Sequence, residues 1–174
     1  RLIRSEGRIP TEQKENRMSR PALAQAWRSF IDFDPGKHLL VMASQLGEVL
    51  EIYHLDTDSC RVVYGPHGEP EFRESEGHGI PTGIMGFSDV QITDRYIYTV
   101  FHGRSFREID ASYEKGIKPE DGGRFVYVFD LEGHPVRKYT LDRAVYGIDV
   151  HEAEGVMYAT DVNHDEAVVE IRLS

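Results

Sequence analysis

The sequence predicts an all-β chain that forms three four-stranded blades of a β-propeller, half of a six-bladed ring. Three observations carry this expectation. Short segments of alternating apolar and polar residues recur along the 174 residues. They group into three copies, with Ile31, Val90 and Ile148 at matching places, 59 (31 to 90) and 58 (90 to 148) residues apart. Gly, Pro, Asp and Asn cluster between the segments. Alternation marks half-buried strands, turn residues mark their ends, and a recurring unit of a few strands marks an array.

The first copy reads Ser29-Phe30-Ile31-Asp32-Phe33, a turn at Asp34-Pro35-Gly36-Lys37, then Leu39-Leu40-Val41-Met42-Ala43, Val49-Leu50-Glu51-Ile52-Tyr53 and Arg61-Val62-Val63-Tyr64. The second reads Asp89-Val90-Gln91-Ile92, Tyr96-Ile97-Tyr98-Thr99-Val100-Phe101, Arg124-Phe125-Val126-Tyr127-Val128-Phe129 and Val136-Arg137-Lys138-Tyr139-Thr140-Leu141, with Gly133 in the last turn as a tight hairpin requires. The third offers Tyr146-Gly147-Ile148-Asp149-Val150, Val156-Met157-Tyr158-Ala159-Thr160 and Val168-Val169-Glu170-Ile171-Arg172-Leu173, one strand short of the others. Tyr53, Tyr96, Tyr98, Tyr127, Phe129 and Tyr158 alternate along these strands, which suits packing between blades better than a sugar-stacking site.

The repeat exceeds the ~40–50 residues of a usual blade. Two insertions account for the excess: residues 65–83, rich in Gly, Pro, His and Glu, and residues 103–123, with Pro119 and Gly122-Gly123. Both read as loops. The expected organisation is one partial propeller domain: residues 1–20 an outer strand and loop, 21–64 blade one, 84–141 blade two, and 142–174 an incomplete blade three. Leu2-Ile3-Arg4 reads as an outermost strand. The stretch Pro21 to Trp27 reads as an extended lead-in, with a short helix as the alternative its alanines allow.

One outer strand at the start and three inner strands at the end leave complementary open edges. Unpaired edges seek partners, and rings need ~4–8 blades. The expected partner is a second copy or a missing N-terminal half. A formal charge of −10 and a pI near 5.2 argue against nucleic acid, which needs a concentrated basic surface. No apolar run reaches the eighteen or so residues of a membrane-spanning helix. Cys60 is the single cysteine, so no internal disulfide forms. No targeting segment is visible ahead of the strands, and the compartment stays open between extracytoplasmic and cytoplasmic.

The third copy, from Tyr146-Gly147-Ile148-Asp149-Val150 through Gly155-Val156-Met157-Tyr158-Ala159-Thr160-Asp161, resembles the blades of NHL-type and gluconolactonase-type propellers. Lys14-Glu15-Asn16-Arg17, Leu23-Ala24-Gln25-Ala26-Trp27, Gly122 through Leu131 and Pro135 through Asp142 resemble the TolB-like six-bladed propeller-like family of Bacteroides-type bacteria, over the C-terminal half of a member. That resemblance implies a fold and carries no reaction with it.

In a propeller, the loops between second and third strands share a face with the links between blades, so both insertions should project from one rim. Long loops on a rigid scaffold are where recognition concentrates. His67, His78, His102, Arg104 and Arg107 are therefore the candidate contacts, against the reading that these loops only cover the ring. Asp161 and Asn163, near Asp149, offer oxygen ligands for Ca²⁺, against the reading of a polar turn stabilised by its own side chains. Gly103-Arg104-Ser105-Phe106 lacks the second glycine of a nucleophile elbow. Glu69, Glu71, Glu74 and Glu76 read as a solvated acidic run before an acid and base pair. The leading functional expectation is a non-enzymatic module that binds a ligand or protein at the insertion-bearing rim. The alternatives are a metal-dependent hydrolase or lactonase and a purely structural fragment.

Overall fold

A computed structural model describes residues 1–3, 5, 7–11 and 18–173. A short helix, α1 (Arg20–Ala26), precedes four antiparallel strands in sequential order, β1 (Ser29–Asp34), β2 (Leu39–Ser44), β3 (Val49–His54) and β4 (Ser59–Tyr64). A hairpin of β5 (Phe72–Ser75) and β6 (His78–Pro81) leads into the second sheet. That sheet holds β7 (Phe87–Ile92), β8 (Tyr96–Phe101), β9 (Gly123–Asp130) and β10 (Pro135–Val145), with the helix α2 (Phe106–Glu114) between β8 and β9. The third sheet has three strands, β11 (Ile148–His151), β12 (Val156–Thr160) and β13 (Val168–Arg172). The result is a partial propeller, nearly all β.

The sheets stack face to face. Leu39, Val41, Ala43, Leu50 and Ile52 of the first sheet pack on Val90, Ile92, Ile97, Phe101 and Phe129 of the second. On its other face, Tyr98, Val100, Val126 and Val128 meet Val150, Met157 and Ala159 of the third. Period-two alternation explains both layers, because each strand of the middle sheet offers one set of side chains to each neighbour. Of the aromatics expected at blade contacts, Tyr98 and Phe129 are buried there, while Tyr158 is exposed.

The first strands of the sheets lie side by side and are stitched by side chains to main chain. Asp32 Oδ2 accepts from Ile92 N at 2.7 Å, Asp89 Oδ2 from Ile148 N at 2.7 Å, and Gln91 Oε1 from Val150 N at 2.6 Å. These strands occupy the innermost position around the shared axis, so residues at their ends open onto its mouth.

Four expectations are corrected. Leu2 and Ile3 are exposed and belong to no strand, and Arg4 lies outside the described residues. A strand exists only through a ladder of main-chain hydrogen bonds, and Leu2 and Ile3 have none. Residues 20–26 form a helix and not an extended lead-in. Ser19 caps it by accepting from Ala22 N, Pro21 fills its first turn, and Ala22, Ala26 and the adjoining Trp27 are buried. The first insertion is not only loop. Glu76 and Gly77, both at positive φ, turn a β5–β6 hairpin whose back packs on α1. The second insertion holds α2, started by a capping box in which Ser105 Oγ accepts from Glu108 N and Glu108 Oε2 accepts from Ser105 N. Ser105 is thus a helix cap. Among the described residues, no helix is long and apolar enough to cross a membrane.

Candidate functional site at the insertion-bearing rim

The link between the first two blades organises the rim. Residues 84–86 run between the β2–β3 turn and the segment after β8. Gly86 N donates to Gln45 O at 2.8 Å and Met85 N to Arg104 O at 2.9 Å. In return His102 N donates to Gly86 O at 2.8 Å and Gly103 N to Met85 O at 2.9 Å. Isolated bridges join Leu46 to Met85 and Ile84 to Ser105. Both insertions therefore fold into one continuous surface.

At its inner end lies a cavity of about 290 Å³, bordered by Gln25, Arg28, Phe30, Gln45, His102 and Tyr146 among others. Phe30 and Tyr146 meet edge to face with centroids 6.2 Å apart, joining blade one to blade three across the axis. Ser88 Oγ donates to Tyr146 O at 2.7 Å, fixing the link into blade three. The walls mix aromatic faces with guanidinium, amide and imidazole groups, which suits a small molecule with polar edges and an apolar face.

The expected contacts separate. His102 borders the cavity, and its Nδ1 accepts from Arg104 N at 3.3 Å. Desolvation, with the nearby Arg104 charge, pushes the His102 pKa below its ordinary value, so the ring is neutral at physiological pH. Arg104 braces the second insertion by donating from Nη1 to Glu120 O at 3.2 Å. His67 lies apart from the cavity, its Nδ1 2.7 Å from Glu48 Oε2 and its ring 5.9 Å from that of Phe101. His78 starts β6 and is exposed, and Arg107 is exposed in the first turn of α2.

The candidate calcium ligands are engaged in protein contacts. Asp161 Oδ1 accepts from Asn163 N at 2.9 Å, while its Oδ2 lies 2.7 Å from His164 Nδ1 and accepts from Arg143 at 3.4 Å. Asn163 exchanges hydrogen bonds with Asp121, accepting from its N at 2.8 Å and donating to its O at 2.9 Å. This ties the blade-three loop to the second insertion. Asp149 lies on β11, where Oδ1 accepts from Gln91 Nε2 at 3.2 Å. Among the described residues, no three His, Cys, Asp or Glu side chains cluster as a metal ion would need.

The Asp161 loop yields a pH prediction. The main-chain N–H of Asn163 first, then His164 and Arg143, hold the Asp161 carboxyl below its ordinary range. A depressed carboxyl stabilises the fold above the unfolded value of about 3.9, and that stabilisation is lost as pH falls through the lower folded value. Asp161→Ala is therefore expected to lower the denaturation midpoint at pH 7, with the gap to the unmodified protein closing as titration proceeds below pH 4. A gap independent of pH would contradict the charge-based role.

Sequence reading missed Arg28, Gln25, Phe30 and Tyr146 as cavity residues. Phe30 and Tyr146 fall at different places in the repeat, the first within β1 and the second two residues before β11, so aligning the copies carries no signal for them. Gln25 lies in α1 and Arg28 two residues beyond its end, and the docking of that helix has no such signal.

A family model described as TolB-like 6-blade propeller-like matches residues 1–153. No curated protein matches the chain. Similar solved structures include the β-propeller domain of Myceliophteria thermophila Cps50 (Swd1), 15% identical with a TM-score of 0.46, covering 85% of this chain and 38% of that one. Dihydro-heme d1 dehydrogenase NirN in complex with DHE is 17% identical with a TM-score of 0.41, covering 82% and 25% respectively. A chain of the mitotic checkpoint complex is 11% identical with a TM-score of 0.44, covering 99% and 47%. This chain thus spans less than half the length of each.

Proposed function

The chain belongs to the TolB-like 6-blade propeller-like family, and on that premise we propose that it is a non-enzymatic binding module acting through the rim that carries residues 65–83 and 103–123. One observation carries this reading: the two insertions, separated in sequence, are hydrogen-bonded through residues 84–86 into a single surface beside a cavity of about 290 Å³ at the mouth of the axis. That volume suits a small polar molecule or one side chain of a partner protein. Arg28 and Gln45 offer donors at its edge, His102 a neutral imidazole, and Phe30 and Tyr146 a flat apolar wall.

A metal-dependent hydrolase would need several oxygen ligands free to converge on the axis. The inner-strand carboxylates of Asp32 and Asp89 instead accept main-chain N–H groups of the next blade, which favours the binding reading.

Amide chemical shifts recorded during titration with a panel of monosaccharides, disaccharides and polar amino acids test this. At least one compound should move the resonances of Gln45, Gly86, His102 and Tyr146, and Arg28→Ala should weaken it about tenfold, as expected for one lost charge-assisted hydrogen bond. Shifts confined to the outer strands, or binding that survives replacement of residues 66–82 by a short turn and Arg28→Ala together, would refute the assignment.

A further inference from the structure

Blades one and two part toward their outer strands and leave a groove of about 580 Å³ between them. Its walls belong to two neighbouring four-stranded sheets, β3 and β4 on one side and β9 and β10 on the other. Of the residues around the axis cavity, only Phe87 also borders this groove. The lining is mostly apolar. Leu50, Phe87 and Phe129 are buried at its base, Val63 and Tyr127 are half-buried on its walls, and Val136 is exposed at its lip. The pleat places them there: Leu50 and Val63 face each other across β3 and β4, as Tyr127 and Lys138 do across β9 and β10, so each pair shares one face of its sheet.

Two polar groups on the β9–β10 wall have no protein partner to satisfy them. In a chain with 30 Asp and Glu residues, Lys138 has no carboxylate partner among the described residues. Its ammonium lies instead over aromatic rings, 4.0 Å from the Phe125 centroid and 5.5 Å from that of Tyr127. Such stacking holds a cation in place and leaves its charge unneutralised. The Tyr127 hydroxyl donates to no described residue. Burial, with the Glu48 charge second, pushes that phenol up to about 12, so it keeps its proton and remains a donor. Glu48, the carboxylate bordering the groove, is already engaged: the His67 main-chain N–H donates to its Oε2 at 3.2 Å, and His67 Nδ1 lies 2.7 Å from the same oxygen.

We propose that the groove between blades one and two binds a medium-chain aliphatic carboxylate, its head group accepting from Lys138 Nζ and Tyr127 Oη and its chain lying along Leu50, Val63 and Phe129. The charges select this class. A cationic head group would meet Lys138, and an uncharged one would leave that ammonium without a counterion. The volume is that of a site for a small organic ligand, and the long apolar trough suits a hydrocarbon chain. This site is separate from the cavity at the axis and stands or falls without it.

Titration calorimetry and amide chemical shifts with decanoate, decanol and decylamine test this. Decanoate should bind, moving the resonances of Leu50, Val63, Tyr127 and Lys138 while Gln45, Gly86 and His102 stay still. Decanol should bind at least about tenfold more weakly, for want of the charge-assisted hydrogen bond, and decylamine more weakly again. Octanoate should lose about tenfold against decanoate, at roughly threefold to fourfold per methylene. Lys138 is exposed on an outermost strand, so its replacement leaves the core intact. Lys138→Gln should weaken decanoate about tenfold and leave decanol unchanged, and Lys138→Arg should stay within about threefold of the unmodified protein. Tyr127→Phe, which removes only the hydroxyl, should cost about fivefold. Arg28→Ala, at the axis cavity, should change none of these affinities. Decanol or decylamine binding as tightly as decanoate, decanoate affinity that survives Lys138→Gln, shifts confined to the axis cavity, or no binding at millimolar decanoate would each overturn the proposal.

Discussion

Phe101→Ala is expected to lower the unfolding free energy by about 3–5 kcal/mol, the cost of removing a buried aromatic ring whose site does not collapse. Phe101 ends β8 and is buried where blade one, blade two and the first insertion meet. Its ring stacks on Tyr127 at 4.9 Å, lies 5.2 Å from Phe87 and 5.9 Å from His67. No single neighbour could fill the space left behind, because each is held by its own strand or turn. For a chain of this length the loss corresponds to a melting temperature lower by roughly 10 °C, measurable by calorimetry. A second reading comes from Tyr127, whose phenol is pushed up to about 12 by burial. Water entering beside it should bring its ultraviolet titration back toward the ordinary range of about 10. Unchanged stability would mean that the blades are held by their outer strands and not by this aromatic group.

Gly86→Ala is expected to cost about 2–3 kcal/mol through overpacking, and to dismantle the rim before it unfolds the sheets. A Cβ at Gly86 would overlap the main-chain oxygens of Gly47 and Ser44, the latter at 2.6 Å. Main chain cannot swing aside as a side chain would. Residues 84–86 would have to withdraw, breaking the hydrogen bonds of Gly86 with Gln45 and His102. Hydrogen exchange should therefore rise at Gly86, His102 and Gly103 while amides in β8 and β9 keep their protection. Ligand-induced shifts at the rim should be lost in the same variant. Uniform loss of protection over the second sheet would show instead that the rim and the blade unfold as one unit.

The strands were legible in the sequence because alternation is a local property: Val90, Ile92 and Ile97 declare a buried face without reference to what covers it. The repeat was legible because the same blade is built three times, so Asp32, Gln91 and Asp149 can be aligned by counting. The helices were harder to read for a different reason: α1 was legible only as the alternative to an extended lead-in, and α2 was read as loop. Ser19 and Ser105 carried capping signals, yet each helix is only two or three turns long and sits within a polar, glycine-bearing stretch that reads equally well as loop. His102 was legible as a rim residue, while His67, His78 and Arg107 were indistinguishable from it by composition. Only packing decides which imidazole borders a cavity and which is held by Glu48 over Phe101.

By itself, the sequence determined the strand pattern, the three-fold repetition and the two interruptions on one rim, because each follows from residue chemistry read at short range. The tertiary structure decided that the interruptions join into one surface, that a cavity opens beside Phe30, His102 and Tyr146, and that Asp161 and Asn163 tie loops together. Those outcomes depend on groups far apart in sequence meeting, as where Gly86 N donates to Gln45 O and Asp121 N to Asn163 Oδ1, each pair about forty residues apart. No local pattern encodes which donor finds which acceptor once the sheets have stacked.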